Sequence, residues 1–206
     1  MYFAFFSGFL IVALSKQLRE THQEKAQKYV AAPVFGRPEA AAAAKLFIVA
    51  AGSPDLLKSC EALFAAIGEK TFIVSDNPAD ANLIKLTGNF LIAATIESLG
   101  EAIALVRKAG IDPHRFVEIL TGTLFSAPVY KTYGAIIADE AYGPAGFNMA
   151  LGLKDVSLAL AAAHELRVPL PAASLIRDHF LTGAAQGQGG SDWAALAKIS
   201  AKNAGL

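Results

Sequence analysis

One long apolar stretch constrains the fold of this chain more than any other feature. From Ala79 to Ala109 there is no proline, and apolar residues fall on nearly every face of the helix that the stretch would form. Because a helix that is apolar all round must be covered on several sides, we expect it to be buried. Gly110 would end it, and the internal glycines Gly88 and Gly100 would be sites of close packing.

The residues before this helix alternate between strand-like and helix-like patterns. The predicted strands are Phe9–Leu14, Tyr29–Val34, Lys45–Ala51 and Thr71–Ser75, and the predicted helices are Ser15–Lys28 and Ser53–Ile67, with Ser15 and Ser53 as N-caps. Such alternation is typical of a βαβ layout with a largely parallel sheet.

Every element predicted after the long helix is helical. These helices are Pro113–Thr121, Pro128–Ala138, Met149–Leu166, Ala172–Gln186 and Ser191–Lys202. We therefore expect an α/β domain over residues 1–76 and an all-α domain over residues 77–206, joined by the long helix, with a ligand cleft at the junction.

Composition argues against several classes of function. The 18 basic and 18 acidic residues balance, so nothing indicates a nucleic-acid partner. Cys60 is the only cysteine and the four histidines are scattered, so we expect no metal site and a reducing, cytoplasmic setting.

The first residues, Met1–Leu14, are strongly apolar. The run is too short for a membrane span and lacks the basic start of a signal peptide. A buried strand or a foreign start is favoured over a membrane or targeting role, and both interpretations stay open.

The strongest candidates for chemistry are Lys85 and Asn89, which would lie one turn apart on the same face of the long helix. A lysine in apolar surroundings is costly unless it has a partner or a task, and a desolvated lysine is suited to proton transfer near neutral pH. On spacing alone the alternative, a lysine that reaches solvent from a helix end, stays open.

Three further positions are weaker candidates. The turn after the second strand, residues 32–38, places Arg37 where it could bind a carboxylate, although it would also serve as an ordinary turn. Lys154 and Asp155 either lie on a solvated helix face or contact a ligand. Phe147 either lines a cleft or packs in the core.

These motifs occur in one order that resembles the β-hydroxyacid dehydrogenases, the 3-hydroxyisobutyrate dehydrogenase-related enzymes, and most of all their glyoxylate and succinic semialdehyde reductase group. The family's Ala-Pro-Val-Ser-Gly-Gly substrate loop matches residues 32–37, with Phe35 in place of the serine, Gly36 unchanged and Arg37 in place of the second glycine. The family's catalytic Lys-x-x-x-Asn matches Lys85 and Asn89.

The resemblance continues to the end of the helical region. Lys154 and Asp155 match a late Lys-Asp pair, in which the lysine reaches the cofactor and the aspartate lies near the active site, and Phe147 matches a phenylalanine of the cleft. The resemblance implies NADP or NAD as cofactor and a small carboxylated aldehyde, keto acid or hydroxy acid as substrate. It also implies a homodimer or homotetramer whose helical domain is similar to the C-terminal domain of 6-phosphogluconate dehydrogenase.

The chain also departs from the family pattern. No GxGxxG follows a predicted strand, and the family match begins only near Phe9-Leu10-Ile11. The implied fold is therefore an α/β remnant of a Rossmann domain followed by an all-α C-terminal domain, in an N-terminally truncated family member.

Three hypotheses follow. The chain is a reductase in which Lys85 is the general acid and Asn89 holds Lys85 or the substrate. Alternatively, it is an inactive fragment that serves as a dimerising helical module. A third hypothesis keeps the reductase fold but changes the substrate to an imine. Lys85 argues against it, because the imine-reducing sister group of this family usually has another residue at that position.

Overall fold

A computed structural model of the chain describes residues 3–6 and 12–206. These residues form two compact units, Met1–Gly88 (the first unit) and Asn89–Leu206 (the second unit). The division falls inside the long helix that the sequence predicts. A domain boundary between residues 76 and 77 stays a prediction.

The first unit alternates strands with helices. Its elements are β1 (Phe3–Phe6), α1 (Val12–Glu24), β2 (Lys28–Ala31), β3 (Val34–Phe35), α2 (Pro38–Ala42), β4 (Leu46–Ala50), α3 (Pro54–Ser59), α4 (Glu61–Ile67), β5 (Gly68–Ile73) and the first turns of α5 (Pro78–Lys108). β1 pairs in parallel with β2, and β4 pairs in parallel with β5. β3 is antiparallel to β4, so the prediction of a largely parallel sheet is confirmed only in part.

Strand alternation distributes the core of the first unit over two faces. Val30 and Ile48 pack with Leu56, Leu57 and Phe64 of α3 and α4. Because successive side chains of a strand point to opposite faces, the next residues of the same strands form a second cluster. That cluster contains Tyr29, Ala31, Val49, Ala51 and Ala81, with Leu18 and Phe35 packed against it. β2 and β4 therefore contribute buried residues to both faces, whereas Phe72 and Ile73 of β5 are exposed.

Four local predictions in the first unit need correction. Ser15 is not an N-cap, because α1 already includes Val12, and the Ser15 hydroxyl lies 3.3 Å from the Tyr29 hydroxyl instead. Residues 12–14 of the predicted first strand are helical, and its residues 9–11 lie outside the described residues. Pro33 separates β2 from β3 in the predicted second strand, and Cys60 separates α3 from α4.

The second unit is helical, as predicted. It contains the rest of α5, α6 (Pro113–Thr121), α7 (Pro128–Ala138), α8 (Met149–Glu165), α9 (Pro171–Ala185), a 3-10 turn (Trp193–Leu196) and α10 (Ala197–Asn203). Prolines at the first turns of α6, α7 and α9 explain why these starts could be predicted. The core of the second unit contains Ile96, Val156, Ile176, Phe180 and Trp193, which come from several elements.

α5 matches its predicted bounds to within a residue at each end. Gly110 follows it with φ +77, as expected for a helix C-cap. The helix is long and apolar enough to cross a membrane by length and composition alone. However, Ile96, Leu99 and Ile103 on α5 are fully or almost fully buried in the second unit, which is the position of a core helix.

Candidate active site

α5 carries both residues of the predicted catalytic pair. Lys85 lies in the part of α5 that belongs to the first unit, and Asn89 begins the second unit four residues later. Positions four residues apart lie on the same face of a helix. Lys85 is half-buried and Asn89 is buried, with 4% of its surface exposed.

In the first unit, Lys85 lies over an aromatic ring. Its Nζ is 4.2 Å from the ring centroid of Phe35, within the range of a cation–π interaction. Phe35 is the residue that occupies the serine position of the substrate-loop motif. The structure thus brings together two of the predicted site residues that are 50 positions apart in sequence.

The two residues after Phe35 form the turn that leads into α2. Gly36 has φ +150, and a Cβ atom there would lie 2.6 Å from Cδ2 of Leu46, so this position requires glycine. Arg37 is the N-cap residue of α2, with its side chain partly buried. Its role as a carboxylate ligand stays a prediction.

In the second unit, Asn89 is held by Asp155. Nδ2 of Asn89 donates a hydrogen bond of 2.6 Å to Oδ2 of Asp155, and Nζ of Lys154 lies 2.7 Å from Oδ1. Asp155 is buried, with 6% exposed, while the Lys154 side chain keeps 32% exposed. The solvated-face interpretation is therefore wrong for Asp155. Both carboxylate oxygens have donors, which fixes the orientation of the Asn89 amide.

Phe147 contacts a tryptophan of the second unit's core. Its ring centroid lies 4.6 Å from that of Trp193, and its carbonyl accepts a hydrogen bond from the Trp193 backbone N–H. The carboxylate of Asp192 accepts from the backbone N–H groups of Gly146 and Phe147. These contacts agree with the core interpretation, and a role in a cleft stays a prediction.

Sequence reasoning missed two features near this site. Asn82, one turn before Lys85, is fully buried, and its side-chain nitrogen and oxygen have no hydrogen-bond partner among the described residues. Glu97, two turns after Asn89, is buried against His179. The signal in both cases is a polar residue inside an apolar helix, the same pattern that predicts Lys85 and Asn89 as site residues.

Lys154 has chemistry that suits contact with a dinucleotide, and its role as a cofactor ligand stays a prediction. Lys154 is cationic and partly exposed, so its ammonium suits an anionic or hydroxyl group of NAD(P). Among the described residues, no three His, Cys, Asp or Glu side chains are grouped so that they could hold a metal ion.

Two family models match successive parts of the sequence. Residues 8–75 match the NAD binding domain of 6-phosphogluconate dehydrogenase. Residues 79–200 match the family described as NAD-binding of NADP-dependent 3-hydroxyisobutyrate dehydrogenase. The predicted cofactor class, NADP or NAD, is confirmed at this level.

The curated relatives are oxidoreductases by name. The uncharacterized oxidoreductase YfjR of Bacillus subtilis is 42% identical over 91% of this chain and 65% of its own length. The 2-hydroxy-3-oxopropionate reductase of Escherichia coli is 30% identical over 88% of this chain and 62% of its own length. Glyoxylate/succinic semialdehyde reductases are similar as well. The chain thus spans less than two thirds of the length of these relatives.

A solved structure supports the fold. The 3-hydroxyisobutyrate dehydrogenase of Salmonella typhimurium superposes with a TM-score of 0.88 at 23% identity, over 96% of this chain and 69% of that chain. The prediction of part of a Rossmann domain followed by an all-α domain is confirmed.

Proposed function

The chain belongs to the 3-hydroxyisobutyrate dehydrogenase-related β-hydroxyacid dehydrogenases, and from that premise we propose that it takes part in NAD(P)-dependent reduction of a small carboxylated aldehyde or keto acid, or in the reverse oxidation. The observation that carries the proposal is the arrangement on α5. Lys85 lies over Phe35, and Asn89, one turn later, is fixed by Asp155.

Lys85 is the proton donor in this proposal. When bound, NAD(P)H supplies a hydride to the carbonyl carbon. As the carbonyl oxygen develops negative charge, the Lys85 ammonium would transfer a proton to it, so that a hydroxyl group forms rather than an alkoxide. In the oxidative direction the neutral amine of Lys85 accepts the hydroxyl proton.

Asn89 orients the reacting groups. Its Nδ2 donates to Asp155, which orients the amide, and its carbonyl oxygen is the acceptor that would take a hydrogen bond from the Lys85 ammonium or a substrate hydroxyl. Because Asp155 is itself bonded to Lys154, the amide cannot rotate without breaking a charge-assisted bond. Pre-organisation of this kind lowers the cost of aligning substrate and acid.

The remaining predicted residues hold ligands in this proposal. The guanidinium of Arg37, beside Phe35 and Gly36, would pair with the substrate carboxylate. Lys154 would contact the cofactor, and Phe147 would cover the substrate. The name of the Escherichia coli relative, 2-hydroxy-3-oxopropionate reductase, describes an aldehyde that bears a carboxylate, which is the substrate chemistry that the proposal requires.

We also expect a cytoplasmic homodimer or homotetramer without a membrane or nucleic-acid partner. α5 leaves Leu91 and Leu105 59% and 72% exposed in the second unit, and a copy of the chain packed against the second unit would cover them. Light scattering tests this, and a monomeric mass at micromolar concentration would contradict it.

Two linked measurements test the proposed function. Calorimetric titration with NADPH and NADH should give micromolar binding, whereas no heat at millimolar cofactor would favour the inactive helical module. In steady-state assays of NADPH oxidation with glyoxylate or 2-hydroxy-3-oxopropionate, K85A should lose about 10²- to 10⁴-fold in kcat. K45A, at an exposed lysine of the first unit, is the matched control. Equal rates for both variants would remove Lys85 from its role.

A further inference from the structure

The position of Phe35 is fixed from two sides. Its backbone pairs with Phe47 in the antiparallel ladder of β3 and β4. Its side chain packs on the cluster that contains Tyr29, Val49 and Ala81, and Ala81 belongs to α5 itself. The ring is therefore held against α5 by the sheet, close to the helix turn that carries Lys85.

Gly88 makes room for the ring. A Cβ atom at this position would lie 2.4 Å from Cζ and 2.6 Å from Cε1 of Phe35, which no side chain can tolerate without a shift. Glycine destabilises a helix interior relative to alanine, so its presence needs a reason. Lys85 and Gly88 are three residues apart and share a face of α5, which places the ring beside both.

The ring of Phe35 does not take over the role of the serine that the family motif has at this position; it contacts the Lys85 ammonium instead. It has no hydroxyl with which to bind a substrate, and its face attracts the cation 4.2 Å away. A lysine side chain has four rotatable bonds, and a ring that attracts its ammonium restricts the positions it samples. Restriction of an acid catalyst near its working position is a direct contribution to rate.

We propose that Phe35 is a positioning residue for Lys85 and that Gly88 is the notch that admits its ring. This inference rests on the proposed function for its effect on catalysis, but the contact itself can be tested without any activity. Phe35 acts through Lys85, and other residues of the site bind the substrate carboxylate.

Ring-current shifts in NMR spectra provide the direct test. Protons of the Lys85 ε-methylene should resonate upfield of those of exposed lysines, and K85R identifies the signal by its loss. F35L should return the signal to the position of Lys45, and G88A should move it in the same direction, because the added Cβ displaces the ring. In an F35L background, G88A should add nothing, since no ring remains to be displaced.

The chain supplies a matched control. Lys70 lies 4.8 Å from the ring centroid of Phe72, which is 46% exposed on β5. F72L should move the Lys70 signal and leave that of Lys85 unchanged. An unshifted Lys85 signal in the wild-type protein, or one that responds equally to F72L and F35L, would overturn the proposal. Amide spectra of each variant show whether the rest of the first unit keeps its fold.

Kinetics separate this inference from the proposed function. If the wild-type chain is active, F35L should lower kcat about tenfold and leave KM for the carboxylated substrate nearly unchanged. A change confined to KM would mean that Phe35 contacts substrate, which contradicts the positioning role. If the wild-type chain turns over no substrate, the proposed function fails, while the NMR comparison still decides whether Phe35 positions Lys85.

Discussion

Two of the buried carboxylates in the second unit, Asp155 and Glu97, differ in how many of their oxygens have hydrogen-bond donors. Asp155 on α8 and Glu97 on α5 are 6% and 5% exposed. Asp155 accepts from Asn89 with one oxygen and pairs with Lys154 through the other. In Glu97, Oε1 lies 2.7 Å from Nδ1 of His179, but Oε2 has no hydrogen-bond partner among the described residues.

Asp155 and Glu97 are therefore almost equally buried, but their carboxylate oxygens are not equally supplied with hydrogen-bond donors. A buried carboxylate is stable when its oxygens find donors and costly when one is left without. Burial raises the pKa of Glu97 above its ordinary value of 4.5; the charge and hydrogen bond of His179 oppose that rise, and Glu101 adds to it. The fully bonded carboxylate, Asp155, orients the candidate site residue Asn89, and the partly bonded one, Glu97, has a raised pKa.

The largest expected effect comes from removal of the fully bonded carboxylate. D155A deprives the buried Asn89 amide and the Lys154 ammonium of their acceptor, so we expect it to destabilise the second unit by about 3 kcal/mol. Urea unfolding followed by fluorescence of Trp193, the only tryptophan and 2% exposed, measures this directly. D178A, at a side chain that is 61% exposed, is the control. Equal midpoints for the two variants would contradict the structural importance of Asp155.

A smaller loss of stability is expected at Glu97, because one of its carboxylate oxygens already lacks a hydrogen-bond donor. H179L removes the donor to Glu97 Oε1, and we expect a loss of about 2 kcal/mol in the free energy of unfolding. The double variant E97L/H179L should recover part of that loss, because no buried carboxylate remains. H164L, at an exposed histidine of α8, should unfold like the wild-type protein. If H179L unfolds like H164L, the buried pair contributes nothing to stability.

Local signals explain why so much of the second unit could be predicted. Prolines at the first turns of α6, α7 and α9, and Gly110 after α5, mark helix ends within a few residues of sequence. The prediction that Gly88 and Gly100 are close-packing sites is confirmed as well. A Cβ at Gly100 would lie 2.8 Å from the Cα of Ala197.

The pairings in the site could not be predicted, because they join distant residues. Asn89 and Asp155 are 66 positions apart, and Glu97 and His179 are 82 apart. The sequence pairs Asn89 with Lys85 and Asp155 with Lys154, but only the folded chain brings Asn89 to Asp155 and Glu97 to His179. The antiparallel β3 was missed for a related reason, since a strand of two residues carries almost no periodicity.

The smallest and most specific effect is a change in the pH dependence of stability. Because the pKa of Glu97 is raised in the folded protein, the fold holds this proton more tightly than the unfolded chain does. The contribution of Glu97 to the free energy of unfolding is therefore fully present below pH 4.5, and it is lost as the pH rises through the raised pKa.

E97Q removes this titration but keeps an oxygen that can accept from Nδ1 of His179. The difference in unfolding free energy between wild type and E97Q should therefore favour the wild type most at acidic pH and shrink as the pH increases. E165Q, at an exposed glutamate of α8, should follow the wild-type curve. Parallel stability curves for wild type and E97Q from acidic to neutral pH would contradict the raised pKa of Glu97.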